Sequence, residues 1–379
     1  MAFRTISEPL AGRVAEAVPA ERLARAARGR HRHWGRDDAL PTVRDPPNGY
    51  LAILFRPAIT YRMFRPLLLV FLVLPLSAAA QDWAAYEPLL DVKYDDQQDL
   101  ADQLTAGRTD ERDKAAAIFY WITHNIRYDV RLKDEIVAEK KQAPKTYRRA
   151  ELEELLEERV RYTLKRRRGV CENYARLYQR LCQLAGLECE LVAGHARGNY
   201  ARAGTLGIGH AWNAVRIDGA WQLVDCTWGA GSVSANQKFV PVFRPAYFAP
   251  PPLGLSYTHF PNDPAWQLRD EPVTKEAFLR RPHVGPALVR AGGHDFNYDA
   301  FDLRTPRRTP LQITFRTLRP VEGQVYCANF TTGKQVDCTV NYAGEEYVVD
   351  VPGAAVNNGL FGLVTADSEI LLTYRLRTQ

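Results

Sequence analysis

The 379-residue sequence contains two methionines, six cysteines and no long apolar run. Its most hydrophobic stretch, Leu67 to Leu76, has about ten residues, roughly half of what a membrane-spanning helix needs. The cysteines form no CxxC pair and no Cys/His cluster with metal-ligand spacing, so we expect no structural zinc and no metal site. Internal repeats of solenoid length are also missing. A globular chain with ordinary apolar cores is therefore expected.

The sequence also lacks a sustained excess of positive charge. Its formal net charge is +6, but residues 1–80 hold twelve arginines, no lysine and six acidic residues. This leaves 38 of the 50 basic and 38 of the 44 acidic residues to the rest of the chain. With no basic stripe after residue 80, we expect no nucleic-acid partner. The 46% hydrophobic content is enough for two ordinary domains.

Residues 63–80 have the layout of a secretory signal peptide. Met63 and Arg65 precede the apolar run, and Ser77-Ala78-Ala79-Ala80 follows it, so cleavage is expected after Ala80. Met63 is the second methionine of the chain, and we interpret residues 1–62 as a spurious or disordered extension of an over-extended gene model. The alternative is an uncleaved signal anchor with a basic cytoplasmic tail.

Export is the predicted fate of the mature chain. Gln81 rather than cysteine follows the cleavage site, so no lipid anchor and no stable membrane attachment are expected after cleavage. The mature protein would be extracellular or, in a Gram-negative host, periplasmic. Oxidising compartments favour disulfides, and Cys327 could pair with Cys338 in a neighbouring strand. Three further cysteines leave one odd member if two of them pair: Cys182, Cys189 and Cys226.

The segment RRGVCENYARLYQRLCQLAG places a cysteine directly after a glycine, at the first turn of a predicted helix. Residues 171, 174, 178, 181 and 185 form one apolar stripe, and Gly186 is a stop signal. Cys171 therefore lies at the positive end of the helix dipole, where a thiolate is stabilised over a thiol. Cysteine is also a common buried apolar residue, so the position alone does not assign a role.

A β-hairpin downstream predicts a histidine–carboxylate contact. Asp218-Gly219 is a strong two-residue turn signal between HAWNAVRI and AWQLVDCTW. With that turn Ile217 faces Ala220, and counting back places His210 diagonally across one face from Asp225. Diagonal neighbours are roughly 7–8 Å apart at the backbone, within reach of an imidazole meeting a carboxylate. A hydrogen bond between His210 and Asp225 is therefore expected.

These side chains are the three parts of a cysteine acyl-transfer site. Cys171 would attack a carbonyl as thiolate, His210 would carry and return the proton, and Asp225 would orient the ring. The backbone N–H of Cys171 could donate to the oxyanion. Candidates for further roles at the site, each also explicable as structural, are Trp121, Trp212 and Asn173.

Other polar residues near these motifs are given structural roles. His195, on the strand ELVAGHARG, is a rival base without an acid at a derivable register, and we interpret it as a buried or rim histidine. His259, in YTHFPNDPAWQL, is left outside the triad. The charged stretch of residues 131–168 is typical of a solvated helix face, although Arg166, Arg167 and Arg168 could bind a partner.

Four motifs together resemble the transglutaminase-like superfamily, in its kyphoscoliosis-peptidase-like branch. They are DKAAAIFYWITHNIRYD, GVCENYARLYQRLCQLAGLECELVAGHARG, GHAWNAVRIDGAWQLVDCTWGAG and YFAPPPLGLSYTHFPNDPAWQL, covering roughly residues 95–283. The resemblance implies an α+β, papain-like transglutaminase core with Cys171, His210 and Asp225 as its triad. The family usually has glycine where Asn173 stands and often tyrosine where His195 stands.

The C-terminal region is predicted to be a separate β-domain. From about Arg304 short alternating strands follow one another, which suggests a β-sandwich, and an immunoglobulin-like domain is common in the resembled branch. The Pro- and Gly-containing segment of residues 283–305 fits a boundary. We therefore expect a catalytic domain over residues 81–283 and an Ig-like sandwich over residues 284–379.

The expected function is that of an exported cysteine peptidase or amidase acting on a protein or peptide through a thioester. The same triad could instead cross-link proteins, because that choice depends on whether water or an amine attacks the thioester. A non-catalytic binding module of the cell envelope is the alternative from another class. No cofactor is implied, and no acidic loop supports calcium binding.

Overall fold

The computed structural model describes residues 81–133, 149–198, 204–234 and 236–379, with the side chains of residues 149–153 and 208 left aside. The predicted extension 1–62 and signal peptide 63–80 lie outside this range and stay predictions. Within the described residues no helix combines the length and apolarity needed to cross a bilayer.

The described chain begins with helices. A 3-10 turn at Trp83–Leu89 precedes α1 (Gln97–Thr105) and α2 (Glu111–Asn125). Asp96 and Asp110 cap the two α-helices, each accepting a backbone N–H of the first turn. The centre of α2 is buried on all sides because other elements surround it.

The cysteine helix follows a long charged helix. Helix α3 (Arg149–Arg166) is followed by the short strand β2 (Arg168–Gly169), which pairs in parallel with the earlier strand β1 (Arg127–Tyr128). Helix α4 (Cys171–Leu184) follows β2. The predicted apolar stripe of α4 is confirmed by three side chains with no exposed surface: Tyr174, Tyr178 and Leu181.

An antiparallel sheet of four strands packs against α4. Its order is β5 (Ala220–Val224), β4 (Ile208–Ile217), β3 (Cys189–Ala196) and β8 (His259–Pro261). The predicted register of the β4–β5 hairpin is confirmed, since Ile217 pairs with Ala220 and the turn residues both have positive φ.

Short elements connect this sheet to the C-terminal part. In chain order they are α5 (Cys226–Ala230), β6 (Gly231–Val233), β7 (Phe239–Pro241), a 3-10 turn (Pro245–Tyr247), α6 (Pro252–Leu255), a 3-10 turn (Pro264–Gln267), α7 (Lys275–Arg280), β9 (His283–Val284) and α8 (Pro286–Ala291).

Hydrogen bonds from Arg197 link the end of β3 to the segment around α7. The residue is 2% exposed, and its guanidinium donates to the carbonyl of Arg281 at 3.0 Å, with longer contacts to other main-chain carbonyls. It also lies 4.4 Å above the ring of Phe278. Burial, and then the charge of Arg281, lower the pKa of Arg197 to about 10.

The C-terminal part is rich in β-structure. Its strands are β10 (Asp302–Thr305), β11 (Leu311–Arg316), β12 (Val325–Asn329), β13 (Lys334–Val336), β14 (Thr339–Ala343), β15 (Glu346–Val351), β16 (Gly359–Thr365) and β17 (Ile370–Thr378). One sheet has the order β10-β17-β16-β12-β13, with β9 also paired to β17, and a second has the order β11-β15-β14. The α+β class is confirmed, while the Ig-like identity of these sheets stays a prediction.

At the proposed domain boundary near residue 283, the chain is hydrogen-bonded to the C-terminal sheet. Strand β9 pairs with β17, and residues 83–379 fall in one compact unit. The domain division therefore stays a prediction. The disulfide between Cys327 and Cys338 is present, and the other four cysteines are free thiols.

Candidate active site

Asp225 lies where the hairpin strand ends and a helix begins. It follows β5 directly and caps α5, and its Oδ1 accepts the backbone N–H groups of Thr227 at 2.8 Å and Trp228 at 3.0 Å. The residue is 1% exposed. These two backbone donors orient the carboxylate independently of the side chains around it.

His210 meets the other oxygen of this carboxylate. Its Nε2 lies 2.7 Å from Oδ2 of Asp225, so the hydrogen bond expected from the hairpin register is confirmed. Burial lowers the pKa of His210, but the charge and hydrogen bond of Asp225 outweigh it and raise this pKa to about 10. The same interaction holds the pKa of the buried Asp225 carboxyl far below its usual range. Histidine and aspartate therefore form an ion pair near neutral pH.

Cys171 completes the group from the N-terminus of α4. It is half-buried, and its thiol is hydrogen-bonded to His210 and to the backbone N–H of Ala211. Burial raises the pKa of this thiol, yet the hydrogen bond and charge of His210 and the Ala211 N–H lower it below its ordinary value overall. Because Asp225 occupies Nε2 of the ring, Nδ1 is the atom that remains for Cys171. The three predicted residues are thus brought together in the expected order.

A second histidine, absent from the predicted group, contacts the same carboxylate. Nε2 of His259 lies 3.0 Å from Oδ2 of Asp225, and its Nδ1 lies 2.8 Å from Oγ1 of Thr258. Burial lowers the pKa of His259, and the attraction of Asp225 offsets this only in part. The sequence signal was the motif THFP, but its strand pairs with β3 rather than with the hairpin.

The other sequence candidates have structural surroundings. Asn173 Oδ1 accepts the N–H of Val170, and its Nδ2 donates to Thr163. Arg167 stacks on Trp121 and donates to Asn125, so it is a packing residue rather than a free cation. The other two arginines that could bind a partner, Arg166 and Arg168, are exposed.

Two candidate donors have no hydrogen-bond partner among the described residues. They are the buried indole Nε1 atoms of Trp121 and Trp212. Trp212 stacks beside His210 with ring centroids 5.9 Å apart. His195 is half-buried, and its Nδ1 likewise has no partner within the described part. Among the described residues, no ion pair joins His195 to a carboxylate that would make it a base.

His210, Asp225 and His259 are the one group within the described residues whose ligand atoms could hold a metal ion, all lying within 4.8 Å of one another. Both histidine Nε2 atoms point at a single carboxylate oxygen at hydrogen-bond distance, so protons occupy the positions a metal would need. The raised pKa of His210 strengthens this arrangement against metal binding, because a metal ligand must give up its proton. The group therefore fits a hydrogen-bond network better than a metal centre.

Comparison with known proteins shows which families and structures the chain is similar to. Residues 98–226, which include all three predicted site residues, match the model of the transglutaminase-like superfamily. The chain is 32% identical to kyphoscoliosis peptidase of Homo sapiens over 183 residues, covering 47% of this chain and 25% of that protein. It is 28% identical to hillarin of Drosophila melanogaster over 212 residues, covering 52% and 24%.

Among solved structures, the periplasmic domain of TgpA from Pseudomonas aeruginosa is similar at 21% identity and a TM-score of 0.25, covering 39% of this chain and 49% of that one. A TM-score this low leaves the relationship to rest on the sequence match. The chain therefore has, over residues 98–226, a region that matches the core of the transglutaminase-like superfamily. It is distantly homologous to kyphoscoliosis peptidase over about half its length, and the matches span about a quarter of the curated relatives.

Proposed function

We propose that the protein is a cysteine acyl-transfer enzyme that hydrolyses peptide or amide bonds through a thioester on Cys171. The observation that carries the proposal is the contact of the half-buried Cys171 thiol with His210, whose Nε2 lies 2.7 Å from the buried carboxylate of Asp225. A buried cysteine with a purely structural role has no such partner. The superfamily match supports the same class, since its members are often cysteine hydrolases or acyltransferases.

The first half-reaction breaks the substrate C–N bond. The thiolate of Cys171 attacks the carbonyl carbon, and the backbone N–H of Cys171, at the start of α4, donates to the developing oxyanion. The C–N bond then breaks as His210 gives its proton to the leaving amine. A thioester and a neutral imidazole remain, and Asp225 keeps the ring oriented.

The second half-reaction restores the ion pair. Neutral His210 takes a proton from water while the water oxygen attacks the thioester carbon. The C–S bond breaks, a carboxylic acid leaves, and Cys171 returns as thiolate beside protonated His210. A lysine amine in place of water would form an isopeptide bond, which is the cross-linking alternative.

Intact-mass spectrometry can separate these outcomes. We would incubate the purified chain with blocked synthetic peptides, with and without a primary-amine probe, beside Cys171→Ala and His210→Ala. Peptide cleavage and an acyl adduct confined to Cys171, both absent in Cys171→Ala, are expected. Incorporation of the amine without cleavage would favour cross-linking. A wild-type chain that forms no adduct and is alkylated no faster than an ordinary thiol would contradict the proposal.

A binding role for the C-terminal part is the second candidate. An open cavity of about 590 Å³ lies there beside the disulfide, and its lining includes Tyr326, Tyr342 and Tyr347. In this alternative the C-terminal part binds a protein partner, and the transglutaminase-like core is a rigid, non-catalytic scaffold. Partner capture that persists in Cys171→Ala, together with an unreactive Cys171, would favour it over catalysis.

Export of the mature enzyme, with a protein or peptide substrate outside the cytoplasm, is part of the proposal. It depends on the predicted signal peptide and on the cleavage expected after Ala80. Amino-terminal sequencing of the natural protein tests it. A mature chain beginning near Gln81 is expected, and one retaining residues 1–62 would contradict it.

A further inference from the structure

The buried carboxylate of Asp225 accepts four hydrogen bonds, two at each oxygen. The backbone donors of α5 hold Oδ1, while His210 and His259 approach Oδ2 at 2.7 and 3.0 Å. Both imidazoles are almost fully buried. A carboxylate without water needs such donors to remain ionised, so His259 supplies part of what keeps Asp225 charged.

The two histidines are in different proton states. The pKa of His210 is raised, whereas the pKa of His259 is lowered by burial and lowered further by the positive charge of His210. His259 is therefore neutral, and the proton it carries must lie on Nε2, because that nitrogen faces a carboxylate. Its Nδ1 is then an acceptor. The single proton of the Thr258 hydroxyl, whose oxygen lies 2.8 Å from Nδ1 and 3.1 Å from the carbonyl oxygen of Leu255, is directed to the nearer Nδ1 in this state.

Packing holds the ring of His259 in this orientation. The indoles of Trp212 and Trp228 lie edge-on to it, with centroids 5.0 and 4.8 Å away, and Tyr247 lies at 6.2 Å. Its backbone is fixed by the pairing of His259 with Ala196 across β8 and β3. A ring that only filled space would need neither the Thr258 donor nor the contact with Oδ2.

We propose that His259 is a positioning residue for the reaction assigned to Cys171. As a neutral donor it holds Oδ2 of Asp225 in line with the ring of His210, and so keeps His210 charged and directed at the thiol. The inference rests on the proposed function for its catalytic meaning. Without His259, Oδ2 of the buried Asp225 carboxylate loses one hydrogen-bond donor, and the carboxylate then rotates or takes up a proton. Either change releases His210.

Two substitutions separate hydrogen bonding from packing. His259→Gln keeps an N–H donor near the position of Nε2, whereas His259→Leu keeps apolar bulk and removes the donor. His283→Leu is the matched control, because His283 on β9 is another buried histidine, 2% exposed and stacked on Phe301 at 4.3 Å, and it does not belong to the group formed by Asp225 and its donors. Urea denaturation of each full chain establishes that it is folded.

Two readouts are then compared across the variants. The first is the rate of iodoacetamide alkylation of Cys171 against pH, and the second is the downfield ¹H NMR signal of the His210 Nε2 proton. In His259→Leu we expect alkylation at neutral pH to slow by about tenfold to a hundredfold, the range typical of misplaced catalytic groups, and the proton signal to broaden or disappear. His259→Gln and His283→Leu should keep both close to wild type.

The opposite results would overturn the inference. A folded His259→Leu chain with wild-type alkylation and an unchanged His210 signal would do so, and so would a His259→Gln chain as impaired as His259→Leu, because bulk rather than the donor would then be what matters. The NMR signal requires no thiol chemistry. A His210 signal that depends on His259, in a wild-type chain whose Cys171 is unreactive, would overturn the proposed function while supporting the positioning of Asp225.

Discussion

Asn173 and Val170 are joined by a hydrogen bond of 3.0 Å across the turn that presents Cys171. The side-chain Oδ1 accepts the backbone N–H, and the amide of Asn173 donates at 3.0 Å to the hydroxyl of Thr163 on α3. The Cβ of Asn173 also fills the space directly above Gly169, where a further side chain could not fit. The start of α4 is therefore held by a polar contact that a glycine at position 173 could not make.

Asn173→Ala should lower the free energy of unfolding by roughly 1–3 kcal/mol, because it leaves the buried Val170 N–H without its acceptor. Urea denaturation of the full chain measures this. The control is Gln183→Ala on the exposed face of the same helix, which should change stability by no more than about 0.5 kcal/mol. Equal stabilities for the two variants would show that Asn173 does not hold the turn.

The pH dependence of Cys171 should follow two shifted groups. The thiolate forms as pH rises through a pKa below the ordinary value of about 8.5, and His210 keeps its proton until pH approaches about 10. Alkylation should therefore rise early and reach a plateau, whereas hydrolysis should fall again when His210 can no longer protonate the leaving amine.

His210→Ala is the decisive variant for this profile. Removing the imidazole takes away its hydrogen bond and charge but leaves the burial that raises the pKa of Cys171. The Ala211 N–H remains, so the alkylation curve should move to higher pH than that of the wild-type chain. Mass spectrometry of the Cys171 peptide gives the rates, and a curve that does not move would contradict the ion pair.

Arg197 should contribute measurably to stability, although within the described part of the chain no ion pair joins it to an acidic residue. Arg197→Met removes a buried guanidinium that donates to the Arg281 carbonyl and should lower the unfolding free energy by roughly 1.5–3 kcal/mol. Arg197→Lys should recover only part, since one ammonium cannot reach carbonyls of several residues. Arg216→Ala, which breaks an exposed ion pair with Glu188, is the control and should cost at most about 1 kcal/mol. A loss for Arg197→Met no larger than that of the control would show that these hydrogen bonds do not stabilise the fold.

Alkylation before and after unfolding should separate the cysteines into three groups. Cys171 should react in the folded chain, whereas Cys182, Cys189 and Cys226 are buried and should react only in urea. Burial raises the pKa of Cys189 and of Cys226 well above the ordinary value, which suppresses their thiolates further. Cys327 and Cys338 should react only after reduction. Peptide mapping checks this order, and early loss of any buried thiol would contradict the packing described.

The parts of the site that the sequence could predict are those set by local geometry. His210 and Asp225 are fifteen residues apart within one hairpin, and the Asp218-Gly219 turn admits one register, so their contact could be counted out residue by residue. Cys171 was placed by the periodicity of its own helix. Each inference needed only neighbouring residues.

The parts that could not be predicted depend on distant pairing. His259 reaches Asp225 because β8 adds to the far edge of β3, and no turn signal links those strands. The state of three cysteines was left open for the same reason, since only the packed core shows them as free thiols. The order of the C-terminal sheets, with β10 parallel to the last strand, is likewise a tertiary choice.

Asp225 serves the fold with one oxygen and the proposed chemistry with the other. Oδ1 caps α5, and Oδ2 receives two histidines. Natural selection for a foldable chain would therefore retain this aspartate in a lineage that had abandoned catalysis. Relatives that have lost activity should be recognised by substitution of the cysteine, and a retained aspartate is poor evidence that a homologue is an enzyme.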